Sequence, residues 1–273
     1  MSPVGANRNF IEAVGAKVLS GASYAGGMTL LLGATLRWTA LGVFSPRVRF
    51  RRHALLTQMS RVGVRSVGII VLVQLFIGVI LALQMTPPLK PWGQVDKVAN
   101  IIGVAGFRML GPIITAVVLS GFAGASIAAE IGTMVVAEEI EALEATALNP
   151  VRYLVVPRVL ATLVMMILLS VVADIMIAVG GWVTSLAVLG PQAYVGYWGR
   201  MQDQLLYRDF ATGLIQAGVF GLLVSLIACY EGLRVKGGAA GVGRATTMTV
   251  VYSIVAIVGA ACAFTVVFYV FGL

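Results

Sequence analysis

The sequence predicts an all-α integral membrane protein with five transmembrane helices, an N-terminal interfacial or re-entrant helix and a short cytoplasmic helix. With 59% hydrophobic and only 11% charged residues among 273, the chain has too little polar surface to cover a soluble globule. Uncharged runs long enough to cross about 30 Å of hydrocarbon, which takes about 20 residues, recur at 66–85, 210–230 and 245–273. Two more, at 101–129 and 159–190, carry one charge each, Arg108 and Asp174. With the N-terminus inside and five spans, fourteen of the nineteen Lys and Arg residues fall in inside segments. The positive-inside rule therefore places the N-terminus in the cytoplasm and the C-terminus outside. The net charge of +8 flanks membrane spans, so it does not point to nucleic acid.

Residues 1–65 form the cytoplasmic and interfacial N-terminal part. Glu12 and Lys17 interrupt any apolar stretch near the start, so no cleavable signal peptide is expected. The run 18–36 is diluted by glycines and hydroxyl residues and flanked by Lys17 and Arg37. As a span it would carry Arg8 and Lys17 outside, against the charge bias, and an interfacial or re-entrant helix is expected instead. Residues 45–65 hold six arginines and the only histidine, His53, the basic flank of a first span that touches anionic head groups. Cys229 and Cys262 lack metal-ligand spacing and read as packing residues.

The spans occupy 66–273. In the first, Leu72, Phe76, Val79 and Leu83 form one apolar helical stripe, which serves either core packing or the wall of a lipid cavity. In the second, Pro112 should kink the helix, because its ring clashes with the carbonyl four residues back. Beyond it, Gly121, Ala125 and Ala129 form one line of small residues and Gly124, Ala128 and Gly132 another, fit for close helix packing within a subunit or near a dimer axis.

Five of the eleven acidic residues, Glu130, Glu138, Glu139, Glu141 and Glu144, then fall within fifteen positions, between two apolar runs. This predicts an acidic amphipathic helix at about 132–149, its core at 138–148, with Ile140, Leu143 and Ala147 on its apolar face and Asn149-Pro150 as its stop. Counting helical rise from either face places Arg108 and Asp174 within roughly 6 Å in depth, so the two isolated charges are expected to pair. The outer loop 191–209 carries Tyr194, Tyr197, Trp198 and Tyr207, rings suited to the membrane interface. On the inside, GAAGVGRA departs from the phosphate-loop pattern at Arg244 and Ala245, so it is not a nucleotide site.

The motifs AEIGTM and EEIEALEATALNPVRYLVVPR, with GVILALQ in the first span and GVGRATT before the last, closely resemble those of the MlaE (YrbE) permeases, from about Gln58 to the C-terminus. That resemblance implies the membrane subunit of an ABC transporter that moves phospholipid or a similar lipid between the inner membrane and the outer membrane or periplasm. It also implies a permease homodimer, an ATPase subunit that binds ATP and magnesium, an MCE-domain lipid-binding protein and, in some systems, a STAS-domain protein. No cofactor, catalytic residue or metal ligand is assigned to this chain. On this reading Leu72, Phe76, Val79, Leu83 and Arg108 bind lipid, Glu138, Glu139, Glu141 and Leu143 couple to the ATPase, and the bacterial inner membrane is favoured over the chloroplast envelope. Met109, Phe122 and Glu139 depart from the family pattern, so head-group preference and direction are not carried over. A secondary transporter or channel is the alternative, although a lone Asp174 is a thin proton relay and no inverted repeat is evident. An intramembrane enzyme would need paired aspartates, a partnered serine or a metal cluster, and the spans show none of these.

Overall fold

The computed structural model describes residues 4–44 and 52–271, and every element within them is helical. Five stretches among the described residues are long and apolar enough to cross a membrane: His53–Trp92, Val95–Val136, Val151–Leu189, Tyr207–Leu233 and Gly238–Phe271. They match the five predicted runs, the third stopping at Leu189, one residue short of its run, and the last described as far as Phe271. Lipid offers no hydrogen bonds to backbone groups, so such runs fold as helices whose partners lie within the segment. Arg47, Arg49 and Arg51 of the expected basic flank lie outside the described residues.

Helix α1 (Val4–Phe44) is continuous. It packs where the second span ends and the third begins, placing Leu31 in a cluster with Ile127, Ile131, Val155, Val159 and Cys229. Tyr24 holds it against the last two spans through edge-on contacts to Tyr230 and Tyr252, with ring centroids 4.9 and 5.4 Å apart. Farther along, Arg152 lies over the Trp38 ring at 5.4 Å.

The first span joins α2 (Arg52–Met59) to α3 (Arg65–Leu89) through a wide, π-type turn at Ser60–Val64. The second consists of three rods, α4 (Val98–Ala105), α5 (Gly111–Leu119) and α6 (Ala125–Val136), separated by wide turns at Gly106–Leu110 and Ser120–Gly124. Pro112 explains the first of these. It has no N–H to offer the Arg108 carbonyl, and the chain widens so that the Gly111 N–H reaches the Gly106 carbonyl, five residues back. A short helix, α7 (Glu139–Ala145), leads into the third span, α8 (Val156–Thr184). Two small outer helices, α9 (Pro191–Tyr194) and α10 (Tyr197–Gln204), precede the last two spans, α11 (Tyr207–Leu233) and α12 (Gly238–Phe271).

Helix α8 is the centre of the bundle, with α3 on one flank and α11 on the other. On α3 every fourth residue, Ser66, Ile70, Gln74, Gly78 and Ala82, turns inward and is buried. Glycine sets the approach: a Cβ at Gly78 would run into the Ile177 carbonyl, and one at Gly180 into the Leu75 carbonyl. Between membrane helices, where lipid competes equally for apolar surface, such close backbone contact carries much of the association. The two small-residue lines of the second span have different fates. Gly124 and Gly132 face Val224 and Val235, which a Cβ would approach to 3.2 and 2.8 Å, so this line packs within the chain. Gly121 faces open space.

The outer loop is a structured cap. Tyr197 is buried against Ile102 and Ile177, and its hydroxyl donates to the Ala178 carbonyl at 3.2 Å. Burial raises its phenol pKa well above the ordinary range, so it stays a neutral donor.

Gly180→Leu is expected to force α3 and α8 apart, at a cost of about 1–3 kcal/mol or more. Thermal unfolding in detergent should show a clearly lowered midpoint, while Gly121→Ala should leave the midpoint unchanged.

Candidate functional site

At the end of the bundle away from α7, the end that the positive-inside rule predicts to be outer, α4, α11 and α12 surround a cavity of about 400 Å³, lined by apolar residues such as Val104 and Phe268 together with a few polar groups. Arg108 is its one charged residue among the described residues. The guanidinium Nη1 donates to Asp209 Oδ1 at 3.3 Å and lies 5.1 Å from the centre of the Phe268 ring. Asp209 is held in turn, because its Oδ2 accepts the Leu206 backbone N–H at 3.1 Å at the start of α11. The carboxylate thus serves as helix cap and counter-ion together.

Two further groups face this space. Gln216 is 3% exposed and its Oε1 has no hydrogen-bond partner among the described residues. Asn100 donates through Nδ2 to Gln204 Oε1 at 2.7 Å, and its own Oδ1 has no partner among the described residues. A cation beside two free amide oxygens, backed by apolar walls, suits an amphiphile whose head carries both an anion and a donor. Sequence reading missed Gln216 and Asn100. A lone glutamine within an otherwise apolar span was the available signal for the first.

The expected pair between Arg108 and Asp174 is not formed. Depth arithmetic assumed straight helices and counted Asp209 as loop. In the structure Asp209 lies in the first turn of α11, and the wide turn at Gly106–Leu110 carries Arg108 toward it. Asp174 points elsewhere: it is 0% exposed, and a Cβ on Gly111 would collide with its Oδ1. Neither carboxyl oxygen has a hydrogen-bond partner among the described residues. Gln74 lies on the other side of the same glycine, donating to the Gly111 carbonyl at 3.2 Å and to Thr115 at 2.9 Å.

None of the stripe residues lines the Arg108 cavity. Leu72, Phe76 and Leu83 are exposed and Val79 is half-buried, on the side of α3 turned away from α8. In this single chain they form outer surface.

At the inner end the expected helix at 132–149 is broken in two. Helix α6 ends at Val136, and Glu138 takes a left-handed conformation with φ of 58°. Helix α7 then covers only Glu139–Ala145, before Ala147 turns left-handed at φ 60°. Pattern alone could not show these two non-glycine reversals. Glu138, Glu139 and Glu141 are exposed and Leu143 is half-buried. Ile140, expected on the outward apolar face, packs instead against the inner cluster. Asn149 starts the next segment by accepting the Arg152 N–H at 3.3 Å. Glu130, grouped by sequence with this acidic run, belongs to the bundle. It bridges Arg61 at 2.9 Å and Arg158 at 3.1 Å, so α6 is tied to both the first and third spans.

Similarity to known proteins accords with this geometry. The family model described as Permease MlaE matches residues 55–267. A probable ABC transporter permease protein of Rickettsia felis is 36% identical over 199 residues, covering 73% of this chain and 76% of the relative. The intermembrane phospholipid transport system permease protein MlaE of Haemophilus influenzae is 32% identical over 254 residues, covering 92% and 94%. The chloroplastic protein TRIGALACTOSYLDIACYLGLYCEROL 1 of Arabidopsis thaliana is 32% identical over 202 residues, covering 74% of this chain and 57% of the relative.

A double-mutant cycle compares Asp209 with Asp174 as a partner of Arg108. Arg108→Gln and Asp209→Asn are expected to couple by about 0.5–3 kcal/mol in thermal unfolding. Arg108→Gln combined with Asp174→Asn should be additive within about 0.5 kcal/mol.

Proposed function

The chain belongs to the MlaE permease family, and from that premise we propose that it is the membrane subunit of an ABC transporter that moves phospholipid or a similar lipid between the inner membrane and the outer membrane or periplasm. It is a multi-pass membrane protein of all-helical build. The observation that carries the lipid reading is the outer cavity, where the Arg108 guanidinium meets apolar walls and the unpartnered oxygens of Gln216 and Asn100. At about 400 Å³ it takes a head group or the end of one chain, and a whole two-chain lipid needs more room. A second copy of the permease would supply that room. The exposed stripe of Leu72, Phe76 and Leu83, with Val79 at its edge, offers an apolar surface for such a copy or for lipid tails.

ATP hydrolysis falls to a separate subunit, which binds the nucleotide and magnesium. That subunit docks on the acidic turn of Glu138, Glu139 and Glu141, with Leu143 as the apolar contact. The turn projects from the end of the bundle that the positive-inside rule assigns to the cytoplasm, with the N-terminus on that side and the C-terminus periplasmic. On the opposite face an MCE-domain protein would continue the lipid path from the Arg108 cavity, and a STAS-domain protein would join the ATPase in some assemblies.

Two measurements test this. Lipid co-purifying with the assembled transporter, identified by mass spectrometry, is expected to fall several-fold in Arg108→Gln with the assembly intact; unchanged recovery would remove the cavity from the lipid path. Leu143→Asp is expected to release the ATPase on affinity purification, and normal ATP turnover in an intact complex would place the coupling contact elsewhere.

A further inference from the structure

A second cleft lies at the opposite end of the bundle, between α1 and the facing surfaces of α11 and α12, with a volume of about 860 Å³. Its mouth and its walls differ in chemistry. Arg234, Lys236 and Arg244 stand at the mouth, and Glu231 is the one carboxylate among the described residues that line the cleft. Lys236 and Arg244 have no acidic partner among the described residues, while Arg234 donates to the Tyr230 hydroxyl at 3.0 Å. The turn that presents these cations passes through Gly237 and Gly238, at φ 86° and 67°, where a side chain would be strained. Away from the mouth the lining becomes apolar, with Met28 of α1, Ile227 of α11 and Met248, Val255 and Ala256 of α12. Met248 keeps this wall uncharged where it follows Arg244 along α12.

The dimensions match one kind of molecule. From Arg244 to Val255 the cleft follows α12 for about 17 Å at 1.5 Å per residue. One leaflet of a hydrocarbon core about 30 Å thick is roughly 15 Å deep. A basic mouth at the membrane surface, opening into an apolar slot one leaflet long, is complementary to a single glycerophospholipid standing in that leaflet. The excess of cations over the one carboxylate selects a head group of net negative charge.

We propose that this cleft binds an anionic glycerophospholipid of the cytoplasmic leaflet, its phosphate on Lys236 and Arg244 and an acyl chain along Met248 and Val255. This site is separate from the Arg108 cavity and does not depend on that cavity carrying substrate. Tyr24 of α1 closes one side of it, between Tyr230 and Tyr252, and Glu231 faces its hydroxyl. The bound lipid would therefore touch α1, α11 and α12 together.

The test uses the full-length permease, purified in detergent with whatever subunits accompany it, and native mass spectrometry with added phosphatidylglycerol or phosphatidylcholine. Phosphatidylglycerol should be retained at least tenfold better than phosphatidylcholine. The Lys236→Gln/Arg244→Gln variant should lose that preference, and Lys236→Arg/Arg244→Lys should keep it. A photo-crosslinker at Met248 should capture phosphatidylglycerol. Equal retention of both lipids, a preference unaffected by neutralising the two cations, or crosslinking of Met248 to a second permease copy would each overturn the proposal.

Discussion

Arg108 places a positive charge within the second membrane-spanning stretch, and that end of the bundle is arranged around meeting that charge. A cation at such depth costs a few kcal/mol unless it is paired, solvated or able to reach the interface. Here Asp209 meets it, and the same carboxylate caps α11, so the start of the fourth span is fixed by the needs of the second. Phe268 gives the guanidinium a ring face from the fifth span. Three spans therefore converge on one side chain. Because Asp209 occupies one flank of the guanidinium, the cavity keeps an electrostatic bias without holding an uncompensated charge.

The inner half repeats this logic with the signs reversed. Glu130 lies between Arg61 and the buried Arg158, binding the second span to the first and third. The remaining acidic residues of that stretch stay exposed on the α7 turn, and the basic residues near the start of α12 line the mouth of the inner cleft. Helix α12 borders both spaces, with Phe268 and Thr265 at the outer one and Arg244 and Met248 at the inner. Most of its surface is exposed in the single chain, consistent with a helix that serves lipid or a second subunit as much as its own bundle.

The sequence made the five spans legible because length and apolarity determine what lipid tolerates, and neither depends on tertiary detail. Small-residue lines also marked helix contacts, and Gly124 and Gly132 show that one of them closes inside the chain. The charge partners were not legible. Depth counted along a straight helix could not register the turn Pro112 imposes below Arg108, nor the inclusion of Asp209 in α11. Gln216 was hidden for a related reason: one amide in an apolar run says little until its neighbours are known. The left-handed residues Glu138 and Ala147 escaped because neither is glycine, the residue that ordinarily signals such a reversal.

Each wide turn in a helix is one surplus residue taken up without breaking the hydrogen-bond ladder, and the second span holds two of them. Mechanically that span is three short struts with two joints. Its outer strut borders the Arg108 cavity, and its inner strut holds Glu130 and leads to α7. If a surplus residue passes one place along the chain, the side chain it crosses swings by about 100° around the axis, since a turn holds 3.6 residues, while the struts on either side keep their packing. A displacement applied at the inner end can then arrive at the outer end as a rotation of one residue, with no need for the whole rod to slide through the bilayer.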